Sequence, residues 1–311
     1  MFALSRCRGS TRRSEGRVFS CRAALIILSL AAAPSQAPAA TIDYFSSFGT
    51  VQNESYGTGA GSGGICAAVS YINGAAYLQT ADSSVYGGTT LSTGSVGNAK
   101  SAAEAFAVNG WTSPSGTNYT GYYNRSGDSC ENLWNTVIDW TESYAPGLTK
   151  YSGQCYASIY GSTLSSWEKS GSITNCFPTV SFLNAATTAN DYVELGIFTY
   201  TLGDNNEWGH AINALEITQN KNGTDTIWYQ DPNYPTEERS AVLSSQLFTD
   251  GEGDSGTALT FNILESGIYY PVYIAEAVAL APVPEPGTFV LTAVGSVLVF
   301  GFVRFRRKRS A

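Results

Sequence analysis

The predicted secondary structure changes from helices to strands near residue 190, and this change restricts the possible folds more than any other feature. Apolar spacing and capping residues predict helices at 66–79, 98–108, 128–145 and 178–190, with a further short helix at 161–170. Residues of high β propensity predict strands at 42–45, 192–200, 210–218, 225–231, 258–264 and 267–278. Helices followed by an antiparallel sheet predict an α+β domain.

A glycine-rich run, Gly61–Gly64, precedes Cys66 at the start of the first long predicted helix. Glycine lets the backbone bend sharply and leaves N–H groups free to bind an oxyanion. The helix N-terminus favours thiolate over thiol, so Cys66 is the candidate nucleophile. Small apolar residues on one side of this helix predict a single buried face, with Ser70, Asn73 and Tyr77 on the opposite face. Gly74 in its interior costs about 1 kcal/mol relative to alanine, which packing must offset.

The chain contains one histidine, His210, which is therefore the one possible base of a Cys/His enzyme. The same count argues against a histidine-rich metal site, and we expect no metal and no cofactor. His210 opens the first strand of a predicted hairpin, and the second strand ends at Asp231. One set of registers sets Asp231 or Asn233 across from His210, where either would orient the ring; a tighter turn would set Pro235 there.

The N-terminus has the pattern of a secretory signal peptide. Six arginines precede an apolar run at 23–33, and Ala37-Pro38-Ala39 fits a cleavage site, so residues 1–39 are predicted to be removed. An uncleaved membrane anchor is the alternative, although the run is well short of the ~20 residues that a span needs. The protein is therefore predicted to be exported.

The C-terminus reads Pro284-Glu285-Pro286, then an apolar run at 289–303, then a basic tail. On physical grounds residues 282–311 hold a membrane segment whose basic end stays in the cytoplasm. The order of motif, apolar segment and basic tail resembles the PEP-CTERM sorting signal. That resemblance implies recognition by an exosortase at the envelope of a Gram-negative bacterium, with transient rather than permanent membrane anchoring.

Between these ends, residues 40–281 form the predicted folded domain. Residues 40–283 hold six Lys and Arg against 23 Asp and Glu, a net charge near −17. Such a surface repels phosphate backbones, so no nucleic-acid partner is expected. Four cysteines remain in this domain: Cys66, Cys130, Cys155 and Cys176. One interpretation is that they form two disulfides, for which three pairings are possible. If Cys66 is catalytic, a Cys155–Cys176 disulfide is the preferred pairing.

Three segments together resemble papain-like cysteine peptidases, and in particular the IdeS/Mac family of secreted endopeptidases. They are Ile65–Ala68 opening a helix, Gly209–Asn213 opening a strand, and Trp228–Asn233 closing the next strand. The resemblance implies a papain-like fold and a protein or peptide substrate. It assigns Cys66 as nucleophile, His210 as general base and acid, and Asp231 as the orienting acid, supported by Asn233.

Two further pairs complete the predicted site. Many papain-like enzymes carry an oxyanion glutamine six residues before the cysteine, but Ala60 stands there, so Gln52 or Asn53 is the candidate donor. Trp208 and Gly209 are the candidate substrate-binding residues, with Trp208 excluding water beside the histidine.

Two other functions remain open at the level of sequence. In a non-enzymatic matrix or biofilm surface protein, Cys66 would be half of a disulfide and the Gly, Ser, Thr and Tyr loops would bind polysaccharide or protein. A papain-fold acyltransferase would use the same triad with an amine as acceptor.

Overall fold

The computed structural model describes residues 47–52, 65–126, 129–157, 164, 167–199, 209–249, 255–265 and 267–283. The predicted strand at 42–45, Asn53, Trp208 and both predicted terminal signals, apart from residues 282 and 283, lie outside these ranges. Half of the predicted helix at 161–170 lies outside them as well.

Helices dominate the first half of the described chain, as the sequence predicts. They are α1 (Cys66–Ala81), α2 (Ser83–Tyr86), α3 (Ala99–Glu104), α4 (Ser129–Tyr144) and α5 (Val180–Thr188). Short helical turns occur at Gly94–Val96, Ala105–Asn109, Tyr122–Asn124 and Ser170–Ser172.

Strands dominate the second half. They are β1 (Trp111–Thr112), β2 (Asn118–Tyr119), β3 (Thr149–Cys155), β4 (Ile173–Asn175), β5 (Tyr192–Thr199), β6 (Gly209–Gln219), β7 (Asp225–Gln230), β8 (Glu238–Val242), β9 (Ser244–Thr249), β10 (Ser255–Glu265) and β11 (Ile268–Pro282). Among the described residues, nine strands form one sheet in the order β4-β3-β11-β5-β6-β7-β8, with β10 on β11 and β9 on β10. All its pairs are antiparallel except β3 with β4. The α+β class is therefore correct.

The start of one helix was predicted correctly, and the start of another is shifted. Asn98 caps α3 by accepting a hydrogen bond from the Ser101 N–H, and the helical segment ends at Gly110, which has a φ of +69°. The N-cap of α5 is Thr179, whose hydroxyl accepts from the Phe182 N–H, so Pro178 precedes the helix rather than lying in its first turn.

Strand β3 was missed because it is glycine-containing and polar in sequence. Its burial alternates along the strand, and Gly153 lies at its centre. A Cβ on Gly153 would lie 2.7 Å from the Trp134 ring, so the glycine allows α4 to pack closely over the sheet. This strand is recognised only from the tertiary structure, in which α4 packs against it.

Helix α1 is buried on all sides, so the prediction of a single buried face was wrong. Ser70, Asn73 and Tyr77 are all buried together with the apolar residues. Their polar groups form hydrogen bonds to other segments, which removes the penalty that an unpaired buried group would carry. Gly74 is required because a Cβ there would lie 1.9 Å from the ring of Tyr192. The helix therefore lies inside the domain, against β5 and β6.

The predicted Cys155–Cys176 disulfide is not formed, and both residues carry thiols. Parallel pairing of β3 and β4 sets Cys155 opposite Asn175. Cys176 is one residue beyond the end of β4, and its backbone N–H donates to the Cys155 carbonyl at 3.1 Å, so the register pairs Cys155 with Asn175 rather than with Cys176.

The last strand, β11, runs to Pro282, and the Val283 N–H bonds to the Leu148 carbonyl at 2.8 Å. The folded region thus reaches slightly beyond the predicted boundary at 281. Within the described ranges, no helix has the length and apolar character needed to cross a membrane.

Candidate active site

Helix α1 places Cys66 at its first residue, as predicted. Ile65 precedes it as the N-cap, and no side chain caps the helix. The first turn contains no acidic residue that would neutralise the positive end of the helix dipole. Cys66 is half-buried, and its thiol is not part of a disulfide. Its surroundings therefore favour an ionised sulfur.

The β6–β7 hairpin brings His210 to the end of β7. Asn213 pairs with Gln230, the last residue of β7, and Asp231 follows directly. Near the turn the register differs by one residue, and a bulge between Ala214 and Glu216 absorbs the difference. The side chain that meets the His210 ring is that of Asp231, the first residue after β7.

His210 and Asp231 form a buried pair. The His210 Nε2 atom lies 2.9 Å from Asp231 Oδ1, and both side chains are almost completely excluded from solvent. The backbone N–H of Asn233 donates to the same Asp231 oxygen at 2.8 Å, which fixes the carboxylate. Cys66 lies close enough to His210 for each group to shift the pKa of the other. Since Nε2 is bonded to Asp231, Nδ1 is the ring nitrogen that remains for the sulfur.

The electrostatics of the three residues favour a thiolate–imidazolium pair. Burial opposes ionisation of Cys66, but the charge and hydrogen bond of His210, and the backbone N–H groups of Ala211 and Ala67, lower its pKa below the ordinary value. Burial also opposes the charge on His210, but Cys66 and Asp231 raise the pKa of the ring to about 10. For Asp231, burial is outweighed by His210, and the pKa is lowered.

A buried network of amides links the three elements that carry these residues. Asn213 Nδ2 donates to the Ser70 carbonyl at 3.0 Å and to Gln230 Oε1 at 3.1 Å, and the Ser70 hydroxyl donates to Asn213 Oδ1 at 2.9 Å. Ser70 lies one turn after Cys66, Asn213 lies on β6, and Gln230 directly precedes Asp231. No role was predicted for these residues, although Asn213 and Gln230 lie inside two of the motifs that resemble papain-like peptidases.

The segment before the glycine run is tied to α1 by Asn73. Its amide accepts from the Val51 N–H and donates to the Val51 carbonyl, both at 3.0 Å. The next residue, Gln52, is exposed, and its Nε2 atom lies 3.5 Å from the Asn233 carbonyl. Gln52 therefore lies beside the residues that follow β7, whereas Asn53 falls outside the described residues.

A helical turn at Tyr122–Asn124 lies near enough to Cys66 for the charge of the sulfur to affect its tyrosines. Burial raises the pKa of Tyr122, and a negative charge on Cys66 raises the pKa of both Tyr122 and Tyr123. Their rings pack edge to face with centroids 4.5 Å apart. Nothing in the local sequence pattern indicated this proximity.

Gly209, predicted to bind substrate, is exposed and begins β6 next to His210. A Cβ at this position would lie 2.9 Å from the Phe198 ring, so the glycine permits close packing between β6 and β5. Trp208 falls outside the described residues.

Glu265, at the end of β10, is a site residue that the sequence analysis did not identify. Asn233 Nδ2 donates to its Oε2 atom at 3.1 Å. Ligand-type atoms of His210, Asp231 and Glu265 lie within 4.8 Å of one another. A cation there would have to displace the hydrogen bond between His210 and Asp231, and the cluster offers a single nitrogen, so a hydrogen-bonded acid pair describes the geometry better than a metal centre.

Comparison of the sequence with protein-family models gave no match, and comparison with curated proteins also found none. The function is therefore argued from the geometry of the site.

Proposed function

We propose that this protein is a cysteine endopeptidase that hydrolyses peptide bonds through Cys66, His210 and Asp231. The observation that carries the proposal is a half-buried thiol at an uncapped helix N-terminus close to the one histidine, whose other nitrogen is held by a buried carboxylate. Hydrolysis by a thiol requires a nucleophile next to a base, and a base that is oriented by an acid.

The reaction begins with the Cys66 thiolate and the His210 imidazolium. The sulfur attacks the peptide carbonyl carbon, a C–S bond forms, and the carbonyl electrons move to the oxygen. The oxyanion then collapses, the C–N bond breaks, and His210 transfers its proton to the leaving amine. Water attacks the resulting thioester while neutral His210 accepts a proton, and cleavage of the C–S bond restores the ion pair.

Asp231 keeps the ring in the tautomer and orientation that this sequence of proton transfers needs. Its Oδ1 atom accepts from Nε2–H of His210, so Nδ1 faces the sulfur throughout the cycle. Asn233 supports Asp231 through its backbone N–H rather than through its side chain. The predicted supporting role of Asn233 is thus assigned to the backbone.

The oxyanion would be stabilised by the Cys66 backbone N–H at the uncapped end of α1 and by Gln52. Gln52 carries a side-chain amide on the side of the site that follows β7, and it is held there by the pairing of Asn73 with Val51. A donor of this kind contributes a factor of about 100 to 1,000 in turnover.

The wider assignment follows the sequence signals. A protein or peptide substrate, a papain-like fold and an IdeS/Mac-type mechanism are proposed on the resemblance and on the site geometry. Export by the predicted signal peptide, and sorting by an exosortase through the PEP-CTERM-like segment, would place the enzyme at the cell envelope or outside the cell. Immunoglobulin is not implied as the substrate.

The test is pH-selective alkylation. At about pH 6, iodoacetamide is expected to label Cys66 at least tenfold faster than Cys176, because an ordinary thiol with a pKa near ~8.5 is almost fully protonated there. Burial raises the pKa of Cys176, which makes it a matched slow thiol in the same chain. His210→Ala should abolish the difference, and Cys66→Ser should abolish proteolysis of labelled casein while Cys176→Ser does not.

The same assay separates the alternatives. Proteolysis that survives Cys66→Ser or His210→Ala would refute the mechanism. A disulfide at Cys66 in the purified protein would favour the matrix protein. Incorporation of a labelled primary amine into casein would assign the triad to acyl transfer instead of hydrolysis.

A further inference from the structure

We propose that Glu265 is a positioning residue for the triad, and that its protonated carboxyl donates a hydrogen bond to Asp231 and holds that carboxylate against His210. This inference rests on the proposed function of Cys66, His210 and Asp231. It assigns a pH-dependent role to a residue that does not contact the sulfur.

The fold brings Glu265 to the triad from a distant part of the chain. It is the last residue of β10 and pairs with Ile268 across a tight turn to β11, in which Gly267 has a φ of +81°. Asn233 Nδ2 donates to Glu265 Oε2 at 3.1 Å, while the Asn233 backbone N–H donates to Asp231. One residue thus holds both carboxyl groups side by side.

One oxygen of Asp231 and one oxygen of Glu265 lack a hydrogen-bond donor. Asp231 Oδ2 and Glu265 Oε1 are both buried, and neither has a hydrogen-bond donor among the described residues. The Nη1 atom of Arg239 lies 3.9 Å from Asp231 Oδ2, which is too far for a hydrogen bond. Ligand-type atoms of the two carboxyl groups lie within 4.8 Å of each other. A single shared proton would satisfy both oxygens at once.

The surroundings place that proton on Glu265. Asp231 already accepts two hydrogen bonds, from His210 and from the Asn233 N–H, and these stabilise its ionised form. Burial and the adjacent Asp231 raise the pKa of Glu265 to about 7. The titratable groups that interact within this cluster are Asp231, His210, Arg239, Tyr229 and Tyr269.

Loss of the proton above about pH 7 would leave two like charges in contact. Asp231 would then lose its donor on Oδ2 and be repelled from the position in which it orients His210. A glutamine at 265 would still donate an N–H to Asp231 but would not titrate. An alanine would remove the donor at every pH.

The experiment measures the rate of Cys66 alkylation by iodoacetamide, from the mass of the Cys66 peptide, across the neutral range. In the natural protein the rate should fall about tenfold as pH rises from about 6 to about 8, the size expected when a hydrogen bond to a buried charged group is lost. Glu265→Ala should be slower by about tenfold already at about pH 6. Glu265→Gln should restore the rate and remove the inflection near about pH 7. Glu238→Gln, an exposed glutamate on β8, is the matched control and should retain the inflection.

The outcomes separate the two proposals. If Cys66 alkylates like an ordinary thiol and does not respond to His210→Ala, the proposed function fails. If the response to His210 is present but Glu265→Gln has the same pH profile as the natural protein, only the role of Glu265 is overturned. Thermal unfolding of each variant shows whether a slow rate reflects misfolding, and Glu265→Gln remains decisive because it preserves shape and hydrogen bonding.

Discussion

Replacing Asp231 with asparagine should move the alkaline limit of the reaction to lower pH. The carboxylate lies 2.9 Å from His210 Nε2, and the pair is almost fully buried, so water screens the interaction weakly. Burial lowers the pKa of the ring, but Cys66 and Asp231 together raise it to about 10. Asparagine has the same shape and can still accept the Nε2–H bond, so the substitution removes mainly the charge.

The magnitude follows from the loss of one adjacent opposite charge. Such a charge shifts a pKa by about 1–3 units, and each unit corresponds to about 1.4 kcal/mol. The pKa of His210 should therefore fall from about 10 to between about 7 and 9. A raised histidine pKa keeps the ring charged until the pH exceeds that pKa. The charge on His210 in Asp231→Asn is therefore lost as pH rises, and at a lower pH than with the natural aspartate. At about pH 9 the charged fraction should fall by about 2- to 100-fold, with a smaller effect at about pH 6.

The assay is Cys66 alkylation and casein hydrolysis across the pH range, with both proteins carrying Glu265→Gln so that the titration of Glu265 does not overlap. Asp225→Asn, at the other end of β7, is the matched control and should leave the profile unchanged. An alkaline limit that stays in place in Asp231→Asn would refute the assigned coupling between this carboxylate and the ring.

Three further results are expected. Gln52→Ala should lower casein turnover by about 100-fold or more while Cys66 alkylation stays unchanged, because an oxyanion donor acts on the carbonyl oxygen alone; unchanged turnover would remove Gln52 from the site. Gly74→Ala should lower the free energy of unfolding by about 1–3 kcal/mol through overpacking, whereas Gly88→Ala, which has open space around it, should not; equal denaturation midpoints would contradict the packing. EDTA should not change turnover, since His210 Nε2 is already bonded to a carboxylate; loss of activity that zinc restores would indicate a metal centre.

Much of the local structure was predictable because its causes are local. The Asn98 cap, the end of the following helical segment at Gly110 and the hairpin around Asn222-Gly223 each depend on residues a few positions apart. The hairpin also narrowed the partners of His210 to a small set. The choice within that set depended on where the chain leaves the ladder after Gln230, which no local residue pattern signals.

Other predictions failed where packing overrode the pattern. Helix α1 has polar residues at positions that normally face solvent, but Ser70 and Asn73 are buried because segments distant in sequence supply their hydrogen bonds. The disulfide prediction assumed that two nearby cysteines would pair. The parallel register of β3 and β4 pairs Cys155 with Asn175 rather than with Cys176.

The sequence by itself determined the chemical groups available to this protein: one histidine, one cysteine delivered to a helix N-terminus after glycines, and an aspartate at the end of a hairpin strand. These follow from composition and from short-range rules of capping and turns. Only the tertiary structure decided that Cys66 lies close to His210, that Gln52 lies beside Asn233, and that Glu265 joins Asp231. The physical reason is that such contacts depend on strand order, register and helix packing, which are set by the burial of the whole domain and not by neighbouring residues.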